Sequence, residues 1–196
     1  MKFKAAVIDA DGVFYDYVSS LARVASLHLG RDISEFEPAK VWNFFSEQWG
    51  ISLATYLELV EVGVQKYGLL RYGEPYGGAV EGTQKLLEAG VVVHIATDLK
   101  DDERYRKARL DWFSDIGIDL GQVAVTFTAN KDEVAREYLD KGAQVFALDD
   151  KIENYEALAA AGADSYLLSQ DWNAKLEGAQ RVRSVEEFAD VVIGAN

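Results

Sequence analysis

An α/β fold, with a parallel β-sheet flanked by helices, follows from three features of the sequence. Five short apolar runs read as strands, amphipathic helical segments separate the later ones, and a glycine stands at the end of almost every helical segment. The runs are Ala5–Asp9, Val91–Ala96, Gln122–Phe127, Val145–Asp149 and Ser165–Leu168. Each is apolar along its length rather than alternating, as a strand covered on both faces requires.

The helices follow in order. Tyr17–Leu29 is amphipathic and stops at Gly30. The stretch VWNFFSEQWG, residues 41 to 50, is dense in aromatic side chains. Ser52–Tyr67 sets Leu53, Tyr56, Leu57, Val60 and Val64 at helical spacing and stops at Gly68. Ala79–Ala89 runs into Gly90, a residue type that closes helices in the left-handed conformation. Asp102–Ile116 carries Leu110 and Phe113 on one face and ends near Gly117. Lys131–Lys141 and Glu153–Ala161 stop at Gly142 and Gly162. A last helix opens at Ser184, with Glu187 at capping-box spacing. One interval is longer than a crossover needs. Val18 to Gly73 predicts a small α-helical cap inserted after the first strand, so that residues 1–17 and 74–196 form the core domain and 18–73 the cap.

Composition narrows the function classes. Of 196 residues, 49% are hydrophobic, enough for a real core. The net charge of -13 repels polyanions, so duplex nucleic acid is not an expected partner. There is no cysteine, hence no disulfide frame and no thiolate metal site. No window has the roughly 18 to 20 apolar residues of a membrane helix, and the N-terminus lacks the pattern of a secretion signal. The expectation is a cytoplasmic protein without a membrane partner, as a monomer or homodimer.

The ends of the strands carry the chemistry, because ligands of open α/β sheets bind beyond the carboxyl ends of the strands. The first run ends in Asp9, then Asp11 and Gly12. The second ends in Thr97, then Asp98; the third is followed by Thr128 and then Lys131, and the fourth ends in Asp149 and Asp150. Asp9 and Asp11, two apart in an extended segment, face the same side. Two such anions require a cation or a proton between them, and a set of hard carboxylate oxygens suits Mg²⁺. A carboxylate can attack phosphorus, and a second can protonate the leaving oxygen and then activate water. Thr97 and Lys131 would hold the phosphoryl oxygens.

DADGV after an apolar strand, Thr97 after VVVHIA, a later Lys131 and the LDD ending of another strand resemble, in order, the four motifs of the haloacid dehalogenase superfamily. The resemblance implies a Rossmann-like core and Mg²⁺-dependent phosphoryl transfer. It also implies Asp9 as nucleophile, Asp11 as general acid and base, and Thr97 and Lys131 as phosphate binders. Mg²⁺ would be held by the side chains of Asp9 and Asp150 and the carbonyl of Asp11, with Asp149 acting through water. DADGVFYD, EPYGGAVEGTQKLLEAG, KARLDWFSDIGID, LDDKIENYEAL and SYLLSQDWNA are further similar to the 5′(3′)-deoxyribonucleotidase branch and its phage-like relatives. That branch implies a nucleoside monophosphate as the small phosphorylated substrate. It has Ser and Pro where this chain has Asp98 and Leu99. Asp98 counts among the phosphate-site candidates, although an acid is awkward there.

Other residues have two readings. Trp42, Phe44, Phe45 and Trp49 form either an aromatic wall for a base or the cap's own core, and Phe14 joins them as a substrate candidate. Trp112 reads as core, and Trp172 with Asn173 as a brace for the site or for a loop. Asp16 could orient the loop after the first strand. His28 and His94 read as structural, and Lys100, Arg104 and Lys107 as a solvated helix face. The alternatives to a nucleotidase are a phosphatase or phosphomutase on a small sugar or organic phosphate, and a catalytically retired binding module.

Overall fold

The computed structural model describes residues 3–195. Among the described residues six strands form one parallel sheet: β1 (Lys4–Ile8), β2 (Val92–Thr97), β3 (Val123–Phe127), β4 (Gln144–Asp149), β5 (Asp164–Leu168) and β6 (Arg181–Val182). Their spatial order is β3-β2-β1-β4-β5-β6. β1 is therefore central, with Ile8 registered against Ile95 of β2 on one side and Leu148 of β4 on the other.

Both faces of the sheet are covered, which is why its strands read as unbroken apolar runs. Ala6 and Ile8 of β1 belong to a core with α4 (Ala79–Glu88), α5 (Glu103–Asp115) and α8 (Val185–Gly194), built around Leu86, Trp112, Phe113 and Phe188. Ala5 and Val7 face the other way, to α6 (Lys131–Asp140) and α7 (Ile152–Ala161), through Val134, Ala135 and Leu158.

Between β1 and α4 the chain is helical: α1 (Tyr17–Leu29), a 3₁₀ turn Ile33–Glu35, α2 (Phe44–Glu47) and α3 (Leu53–Val62). These helices gather a separate apolar cluster around Leu21, Val24, Phe36, Phe44, Trp49, Leu59 and Leu70, joined by Tyr105 of α5. The two chain crossings that lead into and out of this segment run side by side. Asp16 donates its N–H to the Glu74 carbonyl (3.1 Å), and its carboxylate caps α1 through the Ser19 N–H (3.0 Å). No helix among the described residues is long and apolar enough to cross a membrane.

Two details differ from the pattern of the sequence. The long helix expected over 52–67 is α3 followed by a wider π turn, Gly63–Tyr67, closed by the Gly68 N–H, which donates to the Gly63 carbonyl five residues back. β6 has no counterpart among the expected runs. It has two residues and is held by pairing with Leu167 and Leu168 and by Arg181, which donates to the Asn173 and Leu176 carbonyls.

α4 and α8 approach closely at Gly82, where a Cβ would overlap the backbone of Val185 and Glu186. Gly82→Ala should destabilise the protein by about 1–3 kcal/mol through overpacking, outweighing the roughly 1 kcal/mol that alanine gains as a helix former. Urea unfolding should show a lower midpoint with an unchanged slope.

Candidate active site

Asp9 directly follows β1, and its N–H donates to the Leu148 carbonyl of β4 (2.9 Å). Asp149 ends β4 and Asp150 follows it. The carboxylates thus meet where the strand order reverses, between β1 and β4, which is the usual crevice of a doubly wound sheet. Lys131, the first residue of α6, enters from the far side. Its ammonium lies 2.8 Å from Asp9 Oδ1 and 2.7 Å from Asp149 Oδ2, and the side chain is 3% exposed. A cation at a helix N-terminus opposes the helix dipole, and the two flanking carboxylates explain why it is tolerated.

The two β4 acids differ in their partners. Asp149 is saturated: Oδ2 takes Lys131 and Asn154 Nδ2 (3.2 Å), while Oδ1 takes the Lys151 N–H (2.9 Å) and Asn154 Nδ2 (3.2 Å). Asp150 receives only the Trp172 indole N–H on Oδ2 (3.0 Å), and its buried Oδ1 has no hydrogen-bond partner among the described residues. A buried carboxylate oxygen without a donor is rare and costly. Carboxylate oxygens of Asp9, Asp149 and Asp150 lie within 4.8 Å of one another. Three carboxylates against one ammonium leave two negative charges, the charge of one divalent cation. The donor set is all oxygen, as hard cations prefer. The residues present therefore fit a divalent metal.

Electrostatics agree. Burial, with Asp149 and Asp11 nearby, pushes the Asp9 carboxyl up to about 7 against the pull of Lys131. Burial, Asp9 and Asp149 push Asp150 well above the carboxylate range. Burial works against the charge of Lys131, but Asp9 and Asp149 outweigh it and raise its pKa. Gly12, at φ +84°, is the only residue type that fits its place, because a Cβ would overlap the Asp150 carboxylate.

Asp11 lines the same cavity as Asp9, but its carboxylate has different partners. The chain turns at Ala10, whose carbonyl accepts from the N–H groups of Val13 (3.3 Å), Phe14 (2.8 Å) and Tyr15 (3.0 Å). Asp11 Oδ2 accepts from the Thr97 hydroxyl (3.3 Å), and Oδ1 accepts from Nη2 of Arg109, a fully buried residue of α5. Sequence reasoning missed Arg109. The helix pattern offered a signal, since an arginine stands on the apolar stripe one residue before Leu110 and three before Trp112.

Above these groups lies a cavity of about 510 Å³, within the range of small-molecule sites. Its floor is Asp9, Asp11, Gly12, Lys131 and Asp150; its walls are mostly apolar, with Tyr17, Trp42, Phe44, Phe45 and Tyr56 from the helical segment and Leu99, Tyr105 and Trp172 from the sheet side. Phe45 and Tyr56 stack at 4.4 Å, and the Lys151 ammonium stands 5.3 Å over the Trp42 ring. Two expected substrate residues lie elsewhere. Phe14 is fully buried in the main core, edge-on to Phe113 at 5.8 Å, because the Ala10 turn points it inward. Trp49 is buried against Phe36 and Phe44, with its indole N–H on the Glu37 carbonyl (2.8 Å). Asp98 is exposed at the cavity edge, where a carboxylate offers no donor to a phosphoryl oxygen. Its side chain therefore stands on the cavity wall, and a donor to a phosphoryl oxygen at this position would be the backbone N–H.

Trp172 and Asn173 brace the site. Beyond the indole contact, Asn173 Nδ2 donates to the Asp150 carbonyl (2.8 Å) and the Leu168 carbonyl (2.7 Å). Of the basic residues after β2, Lys100 lines the cavity; Arg104 pairs with Glu61 (2.9 Å) and Asp102 (3.1 Å), and Lys107 with Asp111 (2.7 Å). His94 is held between Tyr138 (3.1 Å) and Thr126 (2.8 Å), and His28 meets Glu58 (3.4 Å) on the surface.

No protein-family model matches the sequence, and a search of curated proteins finds no significant match. Solved structures do match along the whole chain. A haloacid dehalogenase-superfamily hydrolase, subfamily IA, from Geobacter sulfurreducens superposes with TM-score 0.63 at 16% identity, covering 97% of this chain and 96% of that one. A dehalogenase with an intermediate complex gives 0.61 at 16% identity, covering 99% of both chains. D,D-heptose 1,7-bisphosphate phosphatase from Burkholderia thailandensis gives 0.58 at 15% identity, covering 98% and 99%. The chain therefore has the Rossmann-like fold of haloacid dehalogenase-type hydrolases. In this chain that fold carries a buried group of three aspartates able to hold a metal ion.

The raised Asp9 carboxyl predicts a pH dependence. Below about pH 4 it is protonated in folded and unfolded chains and contributes nothing. As pH rises toward 7 the unfolded chain ionises first, so metal-free stability falls, by on the order of 4 kcal/mol once the window is crossed. Asp9→Asn should remove this loss. In EDTA the variant should melt higher than the parent at pH 8, with the gap closing toward pH 4.5. A gap that does not change with pH would count against the assignment.

Proposed function

We propose that this protein is a Mg²⁺-dependent phosphomonoester hydrolase that works through an aspartyl phosphate, with nucleoside monophosphates as substrates. The observation that carries the reading is the cluster at the β1–β4 crevice. Asp9 has Oδ1 fixed by Lys131 and by the Ala10 N–H (2.7 Å), which leaves Oδ2 for attack, while Asp150 Oδ1 waits beside it for a cation. Mg²⁺, held by Asp9 and Asp150 with the carbonyl of Asp11, would neutralise phosphoryl charge.

The chain's own groups do the rest. Asp9 Oδ2 forms a bond to phosphorus as the ester P–O bond breaks, and Asp11, which takes up a proton from solvent on Oδ2 once Thr97 has turned away, gives that proton to the leaving oxygen. Water then attacks the same phosphorus, Asp11 takes its proton, and the Asp9–phosphorus bond breaks to release phosphate. Lys131 has three N–H donors; two go to Asp9 and Asp149, and the third is available to a phosphoryl oxygen. Thr97 turns its hydroxyl from Asp11 to the same group. Asp149, already saturated, orients Lys131 rather than binding metal directly. A dehalogenase reading leaves the doubly negative cluster without its cation and Asp11 without a task.

The aromatic walls favour a flat leaving group, and Phe45 and Tyr56 offer a stacked platform for a base. Residues 18–73 act as the cap that encloses the leaving group and excludes water.

Two experiments test this reading. Phosphate release from nucleoside monophosphates should require Mg²⁺, stop in EDTA, and fall by about 10³-fold or more in Asp9→Asn. Turnover confined to sugar or organic phosphates would keep the mechanism and remove the nucleotide. Phe45→Ala should raise KM for nucleoside monophosphates by roughly 10-fold, the scale of one lost stacking contact, while KM for glycerol phosphate stays within about twofold. Equal changes for both substrates would place the base elsewhere.

A further inference from the structure

We propose that Arg109 is a positioning residue for Asp11, fixing which of its two carboxylate oxygens exchanges a proton with the substrate. The inference rests on the hydrolase reading above and concerns a residue outside the four motifs.

Arg109 is wholly buried, and its ion-pair partner is Asp11, met through Nη2. Its Nε and Nη1 have no hydrogen-bond partner among the described residues. In place of further acceptors the guanidinium lies 4.2 Å over the Tyr15 ring, with Trp112 at 5.2 Å and Phe113 at 5.9 Å. That cage is itself anchored. Tyr15 donates its hydroxyl to the Leu69 carbonyl, and the Trp112 indole donates to the Gly73 carbonyl (2.8 Å). Tyr15 and Trp112 also pack edge to face at 4.8 Å. A methionine would fill such a cage without burying a charge, and apolar replacements of buried ion pairs are often neutral or stabilising. What the arginine adds is a fixed cation aimed at one oxygen of Asp11.

The consequence is geometric. With one oxygen held by Arg109, the plane of the Asp11 carboxylate is fixed, since any turn short of one that exchanges its two equivalent oxygens strands a buried charge. Oδ2, on which the Thr97 hydroxyl rests at 3.3 Å, is the oxygen left to work. When Thr97 turns to a phosphoryl group, Oδ2 is freed at that moment, and so Arg109 makes Asp11 a one-sided acid.

Two measurements test this with Arg109→Met and Arg109→Lys. The first is single-turnover release of the leaving group from an alkyl phosphate, the preferred nucleoside monophosphate, and from p-nitrophenyl phosphate, whose phenolate leaves without a proton. Arg109→Met should slow the alkyl ester by about 10²-fold, as expected when a general acid is misplaced. The p-nitrophenyl ester should slow by only a few fold, KM should hold within about twofold, and Arg109→Lys should recover part of the loss. Equal slowing of both esters means a merely structural role and overturns the proposal. The second needs no activity. Asp11→Asn should lower the melting temperature by leaving the arginine unpaired, and adding Arg109→Met should restore it. Additive losses in the double variant overturn the pairing itself. A parent chain that hydrolyses neither ester overturns the hydrolase reading and the catalytic role with it, while the melting cycle still reports the pair separately.

Discussion

The structure depends on one buried cation. Lys131 joins the end of β1 to the end of β4 by holding Asp9 and Asp149 at once. Without it, three carboxylates would crowd a crevice with almost no access to water and with no neighbouring cation to offset their repulsion. With it, Asp149 is neutralised and fully bonded, Asp9 is half bonded, and Asp150 is left with an oxygen that no protein donor reaches. The unequal satisfaction of the three acids creates the site. It leaves one acid saturated, the second with one oxygen free and the third with an oxygen open to a cation.

The cavity above is tied to this floor through side chains that serve both. Trp172 touches the apolar cluster of the helical segment with its ring and Asp150 with its N–H. Lys151, whose backbone N–H helps to saturate Asp149, also spans to Trp42. Tyr105 of α5 packs into the helical segment's cluster and donates to Glu61 of α3 (3.0 Å). The wall that would meet a leaving group is thus in mechanical contact with the acids that would act on it.

Much of this was legible in the sequence, for identifiable reasons. The buried strands announce themselves as apolar runs, and acids or a threonine at their ends stand out against that background, so Asp9, Asp11, Thr97, Lys131 and Asp149–Asp150 were all visible. Glycines marked most helix ends. What escaped lay where tertiary contact overrides local pattern. β6 is two residues long and exists only because β5 offers an edge. Phe14 looked available because it follows Asp11, but the turn closed by the Ala10 carbonyl rotates it into the core. Trp49 and Phe45 belong to one aromatic stretch, and only packing decides that the first is buried and the second lines the cavity. Arg109 hid in a helix otherwise rich in surface charges, where its place on the apolar stripe was the one local sign that set it apart from its solvated neighbours.

The central position of β1 also bears on how the chain folds. β1 is the earliest strand in the chain, yet it lies between β2 and β4, and the latter pairing must wait for Gln144–Asp149. Such long-range parallel pairing is slow to form, because loop-closure entropy is lost before the contacts repay it. During synthesis the Lys4–Ile8 segment would leave the ribosome apolar and unpaired on its β4 side until most of the protein had followed. The acidic residues just after it, Asp9 and Asp11, place charge at the end of that segment. Charge at the end of an exposed apolar segment discourages aggregation with other nascent chains until β4 arrives.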